Sequence, residues 1–256
     1  MQRQTIGLIA AMPQEIAPLL KRIRVQERLH FGRFNGCRLM ADNLDCLLVE
    51  TGIGARRAEA AAQALVEAAR PDLILSFGIA GAVEDDLRIG DVVAGSRVCF
   101  LKDGMLGTPI ALASLPPEAQ QAAAHVLQAR SASLVSGTIV TTPGSQTISR
   151  RPPEFTHPVL EMETGAVARV ASARHIPLLA LRAISDTPAE PIPFPIEEIY
   201  DEEYRLRTGR MIGDILRRPG LLPRLLRVER NARRAEENAA VAVSTILAEP
   251  WNDLLR

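Results

Sequence analysis

Reactive side chains gather in two short runs of this chain, Leu160-Glu161-Met162-Glu163-Thr164-Gly165-Ala166-Val167 and Leu178-Leu179-Ala180-Leu181-Arg182-Ala183-Ile184-Ser185-Asp186. Each is an apolar stretch of strand character that ends in carboxylates, and the first then passes into an Ala/Val helix. Acids at a rim where a core gives way to a pocket are costly unless something pairs with them. Glu161, Glu163 and Asp186 therefore point to a polar ligand and to acid/base work. Successive strand residues face opposite ways, so of the first pair Glu161 is the one more suited to a structural task.

Strands alternating with helices must carry these groups. The periodicity predicts a buried strand over 5–11, a proline-opened helix over 13–20, and strands near 25–34, 36–41 and 44–50. A helix over 55–69 follows, then an apolar strand over 73–77 running into Gly78-Ile79-Ala80-Gly81-Ala82, and a strand over 91–100 entered through a Gly90-Asp91 turn. Glycines spaced as Gly78 and Gly81 let a backbone approach a ligand, although a tight turn would use them equally. Residues 116–129 read as helix, 134–141 as strand, and 142–158 as a loop whose four prolines suit a lid. A helix over 164–175, a strand over 178–184 and a second proline-rich loop over 187–195 come next. Leu225, Val228, Ala232, Ala235, Ala239, Val243 and Ile246 keep helical spacing and predict a long C-terminal helix with one face on the sheet. This order predicts a three-layer αβα sandwich around a central mixed β-sheet, in a single domain spanning 1–256. Ligands in such sheets sit beyond the carboxyl ends of strands, where the segments ending at Glu15, Gly81, Glu163 and Asp186 all arrive.

Composition narrows the partners. With 256 residues, 47% of them hydrophobic, the chain is sized for one substantial α/β domain. Lys and Arg (30) balance Asp and Glu (30), so no overall basic field recruits nucleic acid or an anionic membrane, and a small-molecule partner is the expectation. No run approaches a membrane span, and the start lacks a signal-peptide profile, which together predict a cytoplasmic protein. Three cysteines without C-x-x-C spacing read as buried thiols in a reducing compartment, and four scattered histidines predict no metal site.

Six segments taken in order, Ile6-Gly7-Leu8-Ile9-Ala10-Ala11-Met12-Pro13-Gln14-Glu15, Thr51-Gly52-Ile53-Gly54, Gly78-Ile79-Ala80-Gly81, Arg88-Ile89-Gly90-Asp91-Val92-Val93, Glu161-Met162-Glu163 and Arg182-Ala183-Ile184-Ser185-Asp186, resemble the nucleoside phosphorylase/nucleosidase superfamily, above all the methylthioadenosine/S-adenosylhomocysteine nucleosidases. The resemblance covers about the first three quarters of the chain and fades after Pro188. It implies a nucleoside phosphorylase-like fold, a homodimer, no cofactor, and hydrolysis of the N-glycosidic bond of a 5′-modified adenosine. It casts Asp186 as the general acid on purine N7, Ser185 as the residue orienting it, Glu15 as the base that positions water, and Arg182 as the arginine of the water site. Glu163 would hold the ribose hydroxyls, Met162 would floor the sugar, and Met12 and Ile53 would lie near the sugar or its 5′ substituent. The base-stacking position falls near Ser145 or Gln146, and Phe194 is placed to close over the sugar.

The chain departs from that pattern in ways that bear on chemistry. Where phosphorylases carry phosphate-binding arginines it has Ser76 and the stretch Met12 to Glu15, and a carboxylate beside a phosphate dianion needs cationic compensation. Hydrolysis is favoured on that ground. Where the nucleosidases usually carry serine it has Ile79, and its base loop is short, which leaves a futalosine-type substrate open. The competing functions are a phosphate-dependent phosphorylase, with Arg56, Arg57 or Arg97 forming the anion site and an adenosyl-lipid among its substrates, and a noncatalytic nucleoside-binding module. Single residues also have plainer readings: Asp186 as a turn cap, Glu15 as a first-turn acid favoured by the helix dipole, and Met12, Met162 and Ile53 as core filling. The basic, leucine-rich stretch from Arg217 to Arg227 reads as a helix hairpin with solvated arginines, its prolines interrupting the amphipathic face a membrane would need.

Overall fold

Apolar runs that do not alternate become central strands here, because a strand covered on both faces has no polar side to show. The structure is a computed structural model that describes residues 4–41, 44–144, 148, 152–192 and 222–251. Its elements run β1 (Gln4–Ala10), α1 (Pro13–Leu20), β2 (Val25–Phe31), β3 (Phe34–Ala41), β4 (Leu44–Glu50), α2 (Ala55–Ala69), β5 (Leu73–Ala82), β6 (Val92–Lys102), β7 (Met105–Leu106), β8 (Ile110–Ala111), α3 (Pro117–Gln128), β9 (Leu134–Thr141), β10 (Val159–Glu161), α4 (Thr164–Ala173), β11 (Leu178–Asp186) and α5 (Leu222–Ala248).

One mixed sheet runs β10-β9-β6-β11-β5-β1-β4-β3-β2, with β7 and β8 as short additions to β6. Alternate residues of its central strands feed two cores. Leu8, Leu75, Phe77 and Leu181 face α1, α3 and α5, whereas Ile9, Ile74, Ala180 and Ile184 face α2 and α4. This is the predicted three-layer sandwich. The sheet also curls: β10 pairs in parallel with β9 and antiparallel with the end of β5, so β5, β11, β6, β9 and β10 close into a ring. That closure carries the end of β10 back over β5, with Leu160 opposite Gly81.

Because β4, β1, β5 and β11 are mutually parallel, their carboxyl ends emerge together. Two strands run further than the sequence suggests. The stretch 78–82, open to reading as a tight turn, continues β5 in extended backbone; neither Gly78 nor Gly81 has a positive φ, so they serve space rather than conformation. Strand β11, predicted to stop at 184, continues through a bulge to Asp186 opposite Gly81, which removes the turn-cap reading of that acid.

The C-terminal helix is 27 residues long. Its Pro223 lies in the first turn, where the missing N–H costs no hydrogen bond, so it does not interrupt the helix as the sequence suggests. The remainder of the predicted basic hairpin, 217–221, lies outside the described residues. Among the described residues no helix is long and apolar enough to cross a membrane.

Candidate active site

The first acid is placed by a cap. Pro13 opens α1 directly behind Met12, whose side chain makes no capping hydrogen bond, and Glu15 curls back to do that work. Its Oε2 accepts from the N–H groups of Ala11 and Met12, both at 2.9 Å, while Oε1 accepts from the Ile79 N–H of β5 at 3.0 Å. A Cβ at Gly78 would collide with Oε1, so that glycine is the space the carboxylate occupies. Burial pushes the Glu15 carboxyl above its usual range, against the pull of the Ile79 N–H, Arg182 and the two cap donors. Glu236 of α5 lies near enough to feel it: burial first, then Glu15, push Glu236 up to about 6.

Beside Glu15 stands a buried ion pair. Arg182, 3% exposed, reaches Glu161 Oε2 with Nη2 at 3.1 Å and Nε at 3.3 Å. The same Nη2 donates to Ser76 Oγ and Thr164 Oγ1, and Nη1 donates to the Leu181 carbonyl. Glu161 Oε2 also accepts from the Glu163 and Thr164 N–H groups and the Thr164 hydroxyl, and Oε1 from the Thr141 hydroxyl. The donors converge on Oε2, while Oε1 has the Thr141 hydroxyl as its partner among the described residues. Glu161, predicted among the substrate contacts, is thus bound mainly to protein groups. Arg182, predicted beside the attacking water, is held by Glu161, Ser76, Thr164 and the Leu181 carbonyl.

Glu163 is held more lightly. Its Oε1 accepts from the Gly54 N–H at 2.7 Å and its Oε2 from the Met162 N–H at 3.3 Å. Burial and then the Glu161 charge, with Glu15 adding to them, push its carboxyl up to about 8. Among the described residues Asp186 has the fewest hydrogen-bond partners of the four. The Ser185 hydroxyl lies 2.7 Å from its Oδ1 and 3.3 Å from the Ala80 carbonyl, while Oδ2 overhangs Gly81, where a Cβ would sit 2.5 Å away. Burial raises the Asp186 pKa and the Ser185 hydroxyl opposes it. Ile79, which binds Glu15, and Gly81, which makes room for Asp186, are two residues apart on β5, roughly 7 Å at about 3.3 Å per residue.

The remaining predicted residues fall around this edge. Ile53 is half-buried between Gly52 and Gly54 in the turn before α2, Met12 is half-buried at the start of α1, Ile79 is half-buried, and Met162 is buried beside Glu163. Gln146 and Phe194 lie outside the described residues, as does Ser145. Of the arginines considered for an anion site, Arg57 lies against Gly52 and donates to the Thr51 carbonyl at 3.1 Å. Thr141, Thr164 and Glu236 were missed by sequence reasoning. A threonine closing a strand and another beside an acidic pair were the available signals for the first two; nothing local marks Glu236. Among the described residues no three His, Cys, Asp or Glu side chains are grouped to hold a metal ion.

Known proteins resemble the chain over most of its length. A sequence profile described as the phosphorylase superfamily matches residues 5–248. A 5′-methylthioadenosine/S-adenosylhomocysteine nucleosidase of Maridesulfovibrio salexigens is 27% identical over 229 residues, which is 83% of this chain and 98% of that protein. Among solved structures, the 5′-methylthioadenosine/S-adenosylhomocysteine nucleosidase of Neisseria meningitidis, in complex with methylthio-immucillin-A, superposes with a TM-score of 0.71 at 21% identity, over 96% of this chain and 99% of that one. The futalosine hydrolase of Helicobacter pylori superposes with a TM-score of 0.68 at 20% identity, over 96% and 98%.

Proposed function

The chain belongs to the phosphorylase superfamily, and from that premise we propose that it is a nucleosidase, hydrolysing the N-glycosidic bond of a purine nucleoside, with a 5′-modified adenosine such as methylthioadenosine or S-adenosylhomocysteine as substrate. One observation carries the hydrolytic reading. The buried guanidinium of Arg182 is engaged by Glu161, Ser76, Thr164 and the Leu181 carbonyl, while the acids Glu15 and Glu163 stand where a phosphate would need cations. An anionic nucleophile is repelled from such a place and neutral water is not.

Breaking the bond between C1′ and the base builds positive charge on the sugar and negative charge on the purine. In this reading Asp186, whose pKa burial raises, gives a proton to N7, and the bonding pair leaves with the base. Water attacks C1′ and releases its proton to Glu15, whose three backbone donors fix its orientation and whose burial raises its basicity against their pull. Glu163, within reach of the turn at Gly54, holds the ribose hydroxyls; a cationic sugar favours its ionised form, which burial disfavours. The futalosine hydrolase likeness is as strong in shape as the nucleosidase one, so the base is the open variable.

A panel of methylthioadenosine, S-adenosylhomocysteine, adenosine, inosine and futalosine, assayed for free base with and without phosphate, tests the proposal. Release of free base from a 5′-modified adenosine at the same rate in both conditions is the expected result. A strict phosphate requirement would replace hydrolysis with phosphorolysis, and futalosine cleavage alone would reassign the substrate.

A further inference from the structure

We infer that the C-terminal helix α5 is a two-point splint for Asp186, with Asn231 and Asn238 as positioning residues that hold the backbone on either side of that acid. The two asparagines are seven residues apart, two turns of one helix face, and both are buried, at 9% and 1% exposure. Before the acid, the Asn238 side-chain amide donates to the Gly90 carbonyl at 2.7 Å, and its oxygen accepts from Arg130 Nε at 2.7 Å. Gly90 in turn donates to the Ile184 carbonyl, and Ile184 donates to the Asp91 carbonyl, both at 2.8 Å, which pins β11 immediately ahead of Ser185 and Asp186. Gly90 has φ +90°, and a Cβ there would lie 2.9 Å from both Asn238 and Arg234, so the helix can approach only a glycine.

After the acid, Asn231 Nδ2 donates to Glu190 Oε2 at 3.0 Å, with Arg227 3.9 Å from the same oxygen. Glu190 closes the turn that follows Asp186: its N–H donates to the Thr187 carbonyl and hydroxyl, and the Thr187 N–H returns to the Glu190 carbonyl. Neither asparagine has a hydrogen bond to Asp186 itself among the described residues; Asn238 holds the Gly90 carbonyl, and Asn231 holds the side chain of Glu190, whose own N–H closes the turn. Such indirect support matters because an acid with one side-chain partner is otherwise free to turn toward water.

The charged groups on the elements around Asp186 have other partners. Asp91 accepts from the Arg88 and Ser133 N–H groups, Arg182 pairs with Glu161, Arg234 donates to the Ser131 carbonyl, and Glu190 and Arg227 face each other. Burial is thus the first cause of the raised Asp186 pKa, and releasing either anchor should let water in and lower it.

The inference rests on Asp186 being the proposed acid, and the experiment separates the two. The pH dependence of kcat is measured for wild type, Asn231→Ala, Asn231→Asp and the exchange variant Asn231→Asp/Glu190→Gln, and the Asp186 carboxyl is titrated by carbon NMR in the same proteins, assigned with Asp186→Asn. Asn231→Ala should lose at least tenfold in kcat with KM within threefold. Its alkaline limb, where the acid loses its proton, should move to lower pH along with the carboxyl titration. Asn231→Asp, which sets two carboxylates together, should be worse, and the exchange variant, which reverses donor and acceptor, should recover most of the activity. Asn238→Ala should move the same limb in the same direction. An Asp186 titration unmoved in folded Asn231→Ala and Asn238→Ala overturns the splint, whereas an active Asp186→Asn overturns only the catalytic assignment, since the carboxyl titration reads the splint directly.

Discussion

Glu161 and Asp186 are both acids at strand ends on the same edge of one sheet, and their surroundings assign them opposite work. Around Glu161 a guanidinium from β11, a threonine hydroxyl from β9, another from α4 and two backbone N–H groups at the start of α4 converge. Around Asp186 the end of β11 supplies a serine hydroxyl and an open face over a glycine. A carboxylate with many donors is a fixed charge that organises its neighbours, whereas burial with few partners raises a carboxyl's pKa. Partner number, more than residue type, separates the frame of this site from its chemistry.

The largest effect that tests this contrast is on Asp186. Asp186→Asn should reduce base release by about 10²–10⁴-fold, the range of a general acid, with nucleoside affinity by calorimetry within about tenfold; equal losses in rate and affinity would mean that Asp186 belongs to the frame too. The frame itself should answer in stability. Arg182→Met strands the Glu161 charge and should cost about 3–5 kcal/mol, a fall of roughly 6–20 °C in Tm for a chain of this size. A variant that melts normally yet loses activity would place Arg182 in the chemistry instead.

Geometry sharpens the contrast with a smaller change. Gly81→Ala puts a methyl against Asp186 Oδ2 and should cost about a hundredfold in kcat through misplacement of the acid, with little change in Tm. The smallest effect concerns Glu163, which lies between the two extremes. Its carboxyl is raised in the fold to about 8, so above the unfolded value of 4.5 the native state holds a proton that the unfolded chain has lost. Stability should therefore fall as pH rises from about 4.5 to 8 and level off beyond. Glu163→Gln removes that dependence, so its Tm should change less with pH across this window than that of wild type.

Much of this was legible without coordinates. The alternation of apolar runs with helical spacing predicts the layers, and the ordered motifs around Glu15, Gly78, Glu163 and Asp186 mark one edge of the sheet, because periodicity and motif order are local properties of a chain. Residue types alone also give no overall basic field and supply the carboxylates that any acid/base chemistry here requires.

What the fold decided is who meets whom. That Glu161 rather than Glu163 takes Arg182, and that Ser76 and Thr141 join them from distant strands, goes with the curl that brings β10 over β5, while Gly78 and Gly81 become spaces for Glu15 and Asp186 because β1 and β11 flank β5. The same holds for Asn231 and Asn238, whose partners Glu190 and Gly90 lie 41 and 148 residues away. Hydrogen bonding and desolvation act over a few ångströms between groups remote in sequence, so the partners that make one carboxylate a strut and another an acid exist only once the chain has closed.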